Sequence, residues 1–368
     1  MGALTPHGWW EAPDLEGVPG GYHFVTHGFD NVTAMLWSTV LVASVASAGE
    51  EPVVLRLTRR VMGTEFQVVL WGQPDDRGDR TRTQLQAAAE GALDEAERLD
   101  ERLSLYTESS DVCWMNRHAD REAVRVEPEL FRLLQVASRV HRETDGAFDV
   151  TVGPLMQCWG FFRGQGQLPG REAIQEAMGR VGLQHVLLDE QRGTVRFERT
   201  GMTIDLGGIG KGYAVERMAD MLRRLGVRGA LIHGGLSTIY ALGTPPDAQA
   251  WTVGIQDPYD ADRRLTTLKL RDQALATSGS YEKFFEVGGR MYSHILDPRT
   301  GWPAEGLLGA SVMTGSPTEA DALSTAFFVM GMEGTREYCA KHPGVRAVLV
   351  PMPGAGETPR PTFIGAQS

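Results

Sequence analysis

Apolar residues repeat at helical spacing along one long stretch near the start of the globular region. Their spacings alternate between four and three residues, which places them on one face of an amphipathic helix. They are Leu85, Ala89, Ala92, Ala96, Leu99 and Leu103. Similar patterns predict helices over about 129–142, from about 212 onward and over about 318–330.

Short runs of apolar and β-branched residues, separated by turn residues, predict strands. The runs are 53–58, 65–72, 229–233, 251–256, 265–270, 291–296, 309–313 and 346–350. They mix irregularly with the helices, without strict βαβ alternation, so the pattern favours an α+β fold over a doubly wound sheet. Residues 52–351 are predicted to form one globular domain without an internal repeat, and the Pro- and Gly-rich 352–368 segment a loose tail.

Residues 1–48 are interpreted as a leader. Its apolar stretch, 36–45, has the length of a signal-peptide core and is too short to span a membrane. Ala46-Ser47-Ala48 matches a cleavage pattern, so residues 35–48 are predicted to be a signal peptide and the protein to be exported to the periplasm or cell envelope. No Cys lies at the cleavage point, which argues against a lipoprotein. No Lys or Arg precedes Arg56, so a buried strand or helix is the competing interpretation.

Charge and cysteine content argue against several kinds of binding partner and structural site. The 368 residues carry a formal net charge of -11 with no basic run, which argues against nucleic-acid binding. The three cysteines are far apart and form no CxxC, which argues against a structural zinc site and a disulfide framework. A phosphate ligand would therefore need help from a metal or from backbone N–H groups.

A glycine-rich loop runs from Asp205 to Lys211 and ends at a predicted helix. Its spacing fits neither a Walker A loop nor the G-x-G-x-x-G dinucleotide motif. Glycines still allow close backbone approach, a helix N-terminus favours an anion, and Lys211 adds positive charge. Asp205 can accept a hydrogen bond. The alternative is an ordinary glycine-rich turn in which Asp205 caps the helix.

Asp321 and Thr325 stand four residues apart in a predicted helix and so share one face. A carboxylate and a hydroxyl are hard oxygen ligands that suit Mg²⁺. The alternative is helix capping, with Thr318 as N-cap and Asp321 in the first turn.

Two further segments contain candidate functional residues. His294 ends a predicted strand before a D-P-x-T-G turn and could act as a general base, or be structural. Ala147, Phe148 and Asp149 follow a predicted helix, where they could form a ligand contact or a plain turn with core residues.

The order of these motifs resembles that of the ApbE family of FAD:protein FMN transferases. The matching segments cover about residues 62–331, nearly the whole globular part. They are Met62-Gly63-Thr64, Leu103–Tyr106 with Ser109, Thr144–Asp149 with Gly153–Leu155 and Trp159–Phe161, Asp205–Tyr213, Ala276–Gly279 with Tyr281, His294–Gly301 and Ala320–Thr325.

The resemblance implies a T-fold-like α+β architecture and transfer of the FMN part of FAD to a Ser or Thr hydroxyl of a flavoprotein, with release of AMP. Subunits of membrane redox complexes are typical acceptors. FAD, the substrate, would contact Met62, Tyr106, Ala147, Phe148, Asp149, Asp205, Lys211 and His294. Mg²⁺ would be held by the Gly208 carbonyl, Asp321 and Thr325, with Lys211 assisting at the phosphates and His294 or Asp205 as catalytic base.

Two other functions stay open at this level. The same site could hydrolyse FAD to FMN and AMP, or a non-catalytic carrier could bind flavin. The chain also departs from the family's pattern, because Leu236 follows Gly234-Gly235 where many relatives have Asp.

Overall fold

The computed structural model describes residues 23–26, 52–73, 79–164, 166–354 and 356–365. The predicted signal peptide, 35–48, lies outside the described residues. The helices are α1 Asp79–Leu103, α2 Asp111–His118, α3 Pro128–Glu143, α4 Gly153–Cys158, α5 Arg171–Met178, α6 Gly210–Arg224 and α7 Pro317–Lys341. None of these helices is long and apolar enough to cross a membrane.

The strands follow the chain in order. They are β1 His23–Thr26, β2 Val53–Val61, β3 Thr64–Gly72, β4 Val124–Arg125, β5 Val186–Asp189, β6 Thr194–Phe197, β7 Gly229–Gly234, β8 Thr238–Gly243, β9 Trp251–Asp257, β10 Asp260–Leu270, β11 Gln273–Gly279, β12 Lys283–Val287, β13 Arg290–Ser293, β14 Leu307–Thr314, β15 Arg346–Pro351 and β16 Thr362–Ile364.

An eight-stranded sheet organises the molecule, in the order β16-β15-β14-β11-β8-β7-β3-β2. Every neighbouring pair in it is antiparallel. Three small sheets, β1-β12-β13, β10-β9 and β4-β6-β5, complete the described strands. The α+β prediction with mostly antiparallel sheets is confirmed.

Both faces of this sheet are buried. In β3, Phe66, Val68 and Leu70 point into the larger core with α1, α6 and α7, whereas Val69 points to the other side. That second side is covered by apolar residues of the β9–β10 hairpin, such as Trp251. Two-sided burial explains why β7 and β14 are buried at every position and show no alternation of buried and exposed residues.

The sequence pattern located the long helices well. The apolar stripe over 85–103 lies in α1, and the predictions at 129–142 and 212 correspond to α3 and α6. Helix α7 is longer than the predicted 318–330, because it continues to Lys341 across a kink at Gly331 (φ 68°). Only a residue that tolerates positive φ allows this continuation.

One strand prediction and the predicted loose tail differ from the structure. The 291–296 run ends at Ser293, because the chain then turns, with the Asp297 N–H donating to the Trp302 carbonyl (2.8 Å). The 352–368 segment was expected to be loose, but Thr362–Ile364 forms β16 and pairs with β15 at the edge of the main sheet.

Helices α6 and α7 cross in very close contact at Gly212. A Cβ built on Gly212 would lie 2.3 Å from the Pro317 carbonyl oxygen and 2.6 Å from the Asp321 Cβ. Both neighbours belong to the first turns of α7, and one is backbone, so neither can move away without shifting the helix. Glycine is therefore needed here for close approach.

We expect Gly212→Ala to destabilise the protein by about 1–3 kcal/mol, the usual cost of overpacking a tight contact. Gly210→Ala in the same first turn is the matched control. Its Cβ would come no closer than 3.9 Å to a neighbour, the Leu206 Cβ. This change should be neutral or stabilise by roughly 0.5–1 kcal/mol. Urea unfolding measures both, and equal midpoints for the two variants would contradict the packing argument.

Candidate functional site

One end of the main sheet positions the predicted site. The β2–β3 turn at Met62 and the β7–β8 turn at 235–237 lie side by side, since β3 pairs with β7. The end of β11 at Ser278 lies across β8 from them. The N-terminal ends of α6 and α7 meet next to Thr238, the first residue of β8.

The glycine-rich loop is fixed before it enters α6. The Asp205 N–H donates to the Val150 carbonyl (2.7 Å), and Asp205 Oδ1 accepts from the Gly207 N–H (2.8 Å). Lys211 Nζ lies 3.5 Å from the Gly207 carbonyl oxygen, so its charge stays close to the loop. The N-cap residue of α6, Ile209, has no side chain able to cap the helix.

The predicted metal ligands come together. Asp321 is 5% exposed and lies one turn before Thr325 on α7. A Cβ built on Gly208 would lie 3.4 Å from Thr325 Oγ1, so the loop and the helix face each other here. The alternative prediction, with Thr318 as the N-cap of this helix, is wrong, because the N-cap of α7 is Ser316.

Asp321 uses both carboxylate oxygens within the protein. Oδ2 accepts from the Gly212 N–H (2.8 Å) and Oδ1 from the Thr238 hydroxyl (3.0 Å). Thr325 Oγ1 lies 3.2 Å from Ser278 Oγ. Each carboxylate oxygen can accept further, so both keep capacity for a cation.

The chemistry of this donor set fits Mg²⁺. It comprises a carboxylate, a hydroxyl and a backbone carbonyl, all hard oxygen donors. Among the described residues, no group of three His, Cys, Asp or Glu side chains could hold a metal. A cation at Asp321 would therefore need oxygens from its ligand or from water, as Mg²⁺ commonly does at phosphate sites.

The turn after α3 is next to this loop. Phe148 is buried, and a Cβ on Gly208 would lie 3.3 Å from its ring. Ala147 is also buried. The Asp149 carboxylate points inward, where it accepts from the N–H and hydroxyl of Thr151 (2.7 and 2.6 Å) and from the Leu183 N–H (2.9 Å). Asp149 therefore holds the turn with its side chain.

His294 is held as a neutral imidazole. Its Nδ1 donates to the Lys283 carbonyl (3.0 Å), which also accepts the His294 backbone N–H (3.0 Å). The Nε2 lone pair is consequently left to accept a proton. Burial, and then the positive charges of Lys283 and Lys211, lower the pKa of His294 to about 4.

The same two lysines, Lys211 and Lys283, also act on Asp205. Burial raises the pKa of its carboxyl above the ordinary value, and the charges of Lys283 and Lys211 oppose that rise. Tyr106 lies nearby with 78% of its surface exposed. Desolvation, and then the negative charge of Asp205, raise the pKa of its phenol.

Met62 occupies a strained turn. Its φ is +51°, unusual for a residue other than glycine, and its N–H donates to Asp100 Oδ2 (2.7 Å). The Asp100 carboxylate thus fixes the turn where a ligand contact was predicted.

Sequence reasoning gave no role to four residues of the site. Glu282 directly precedes β12, and Lys283 is its first residue. Thr238 contacts Asp321, and Ser278 contacts Thr325. Burial, then the charge of Asp321, raise the pKa of Glu282, although Lys211 opposes this. Only Ser278 lay in a segment singled out for its resemblance, and no local pattern distinguishes the other three.

Comparison with known proteins gives one consistent result. A model of the ApbE family matches residues 62–349. An FAD:protein FMN transferase of Klebsiella pneumoniae is 34% identical over 239 residues, which cover 64% of this chain and 73% of the relative. One of Treponema pallidum is 29% identical over 327 residues, covering 84% and 88%.

Solved structures agree with the sequence relatives. The ApbE protein of Thermotoga maritima superposes with a TM-score of 0.73 at 33% identity, covering 83% of this chain and 96% of that one. The apo flavinyl transferase ApbE of Pseudomonas stutzeri gives 0.73 at 29% identity, covering 85% and 95%.

The pKa of His294 can be measured directly by NMR of the labelled imidazole, assigned by its loss in His294→Gln. We expect a midpoint near 4, against an ordinary value of 6.5. Because the unfolded chain then binds this proton more readily, His294 should lower the stability of the fold progressively as pH falls from 6.5 to about 4. A midpoint of 6.5 or above would show that His294 is not desolvated as described.

Proposed function

This chain belongs to the ApbE family, and from that premise we propose that it is a transferase that moves the FMN part of FAD to a Ser or Thr hydroxyl of a protein, with Mg²⁺ and with release of AMP. One observation carries the proposal. The glycine-rich loop and the start of α7 are joined by the 2.8 Å hydrogen bond between Gly212 and Asp321. An anion-binding helix terminus and hard oxygen ligands therefore face the same place.

FAD would be bound by groups from several elements around this place. The adenine and flavin parts would lie among side chains and turns, and the pyrophosphate against the loop and Lys211. The proposed contacts are Met62, Tyr106, Ala147, Phe148, Asp149, Asp205, Lys211 and His294. For Asp149, whose carboxylate is used internally, the contact would be through its backbone.

Mg²⁺ would be held by Asp321, Thr325 and the Gly208 carbonyl. When bound, it supplies neutralisation of the charge that develops on the phosphate oxygens. Lys211 and Lys283 add fixed positive charge on the protein side, since both act on His294 and Asp205. The ion and these lysines let an acidic protein bind an anionic substrate.

The transfer exchanges one P–O bond for another. The acceptor's hydroxyl oxygen forms a bond to the FMN-side phosphorus, and the bond from that phosphorus to the bridging oxygen breaks, so AMP leaves with the bridging oxygen. The hydroxyl proton goes to a base. His294 is the first candidate, because Nε2 is free to accept while Nδ1 donates to the Lys283 carbonyl. Asp205 is the second, since burial raises its pKa.

The acceptor would be a flavoprotein with a Ser or Thr at the surface. As the family resemblance implies, a subunit of a membrane redox complex would be a candidate acceptor. Water in place of the hydroxyl would make the same site an FAD pyrophosphatase, and this outcome has its own signature in the assay below.

We expect the protein, FAD, Mg²⁺ and a candidate acceptor to give AMP and a flavin-fluorescent acceptor band in a denaturing gel. Asp321→Asn should lower this rate by at least about 100-fold, because removal of a hard anionic ligand weakens the cation site. The measurement is gel fluorescence together with chromatography of AMP and FMN.

Asp189→Asn is the matched control, because Asp189 also accepts two hydrogen bonds but is the last residue of β5, in a different sheet. It should keep the wild-type rate. Free FMN with no labelled acceptor would favour the pyrophosphatase, and bound FAD without turnover would favour a carrier. Full activity of Asp321→Asn would refute the metal assignment.

We also propose that the protein is exported with cleavage after Ala48, which would remove strand β1. Mass spectrometry of the protein isolated from the cell envelope should then give Gly49 as its first residue. A mature N-terminus upstream of Met35 would contradict this proposal.

A further inference from the structure

Helices α6 and α7 cap each other. The Gly212 N–H, in the first turn of α6, donates to Asp321 of α7 (2.8 Å). In return, Glu216 of α6 accepts at Oε2 from the Thr318 N–H (3.1 Å) and from the Ser316 hydroxyl (2.6 Å), both at the start of α7. Each helix thus supplies the carboxylate that satisfies the other's N-terminal donors.

The spacing of these contacts makes them act as a pair. Gly212 and Glu216 are one turn apart on α6, and Pro317 and Asp321 are one turn apart on α7. Ser316 Oγ also accepts from the Glu319 N–H (3.2 Å), so Glu216 holds the N-cap residue itself. If the start of α7 slides or rotates, both carboxylate contacts break together.

At the close crossing itself, backbone packs against backbone. A Cβ on Gly212 would meet the Pro317 carbonyl at 2.3 Å, so the contact there is between backbones, with no side chain to adapt. The Thr238 hydroxyl touches Oδ1 of Asp321 but not the start of the helix. Glu216 is therefore the side chain on α6 that fixes the first turn of α7.

We propose that Glu216 is a positioning residue for the cation site: by fixing the first turn of α7, it sets the place of Asp321 and with it the affinity for Mg²⁺. The inference rests on the proposed function of Asp321. Groups that orient a metal ligand commonly change metal affinity by about 10–100-fold when they are removed. Glu216 would act on the ion only through α7, because its carboxylate bonds to Ser316 and Thr318.

Glu216→Ala should leave α7 folded. Arg139 still pairs with Glu319 (2.8 Å), and Ser316 still accepts from the Glu319 N–H. What is lost is the partner of the Ser316 hydroxyl and of the Thr318 N–H. Glu216→Gln keeps an oxygen that can accept both hydrogen bonds, so it should act as the conservative rescue.

The test measures thermal unfolding of the full chain in saturating FAD, without acceptor, over a range of Mg²⁺ concentrations. Ligand that binds the folded state raises the melting temperature according to its concentration and affinity. We expect the half-maximal Mg²⁺ concentration to rise about 10-fold or more in Glu216→Ala and to stay within about 3-fold of wild type in Glu216→Gln.

Asp189→Ala is the matched control, since it also removes a carboxylate that accepts two hydrogen bonds. Asp189→Ala should lower the melting temperature without changing the half-maximal Mg²⁺ concentration. If Glu216→Ala behaves like Asp189→Ala, Glu216 is merely structural and the proposal fails, whereas the cation site stands. If wild type shows no Mg²⁺ response, the cation site itself fails, and the role of Glu216 fails with it.

Discussion

The hydrogen bond from the Gly212 N–H to Asp321 is the contact on which the rest of the site depends. It ties the helix that follows the glycine-rich loop to the helix that carries Asp321 and Thr325. Close packing at Gly212 keeps this bond short, and Thr238 holds the second oxygen of the carboxylate. Because the start of α6 and the Asp321 carboxylate meet at this hydrogen bond, the loop cannot move without moving Asp321.

The site contains local positive charge, although the protein has a formal net charge of -11. Lys211 and Lys283 act on the same two groups, Asp205 and His294, and lower the pKa of the imidazole in addition to the effect of burial. The neutral imidazole adds no positive charge and keeps a lone pair available. The two lysines thus place positive charge beside Asp205 while His294 itself stays uncharged.

The sequence was most informative where periodicity or motif order is local. The stripe from Leu85 to Leu103 predicted α1, and the order of the family motifs singled out Asp205, Lys211 and Asp321 as candidates. It failed where a neighbour distant in sequence decides the role. Glu216 looks like an ordinary exposed helix position until Ser316, 100 residues later, is seen beside it. Likewise, β16 forms only because β15 offers an edge.

The departure at Leu236 can now be weighed against the cation site. Leu236 is 61% exposed in the β7–β8 turn, which backbone bonds hold on both sides, from Gly235 to the Glu65 carbonyl and from Thr277 to the Ser237 carbonyl. The oxygens of Asp321 are bonded by Gly212 and Thr238, and both contacts are intact. An acid at 236 is therefore not needed to orient Asp321. A Leu in place of an acid removes a negative charge and leaves an apolar side chain in solvent at the end of the sheet where Asp321 lies, while the contacts that orient Asp321 are unchanged.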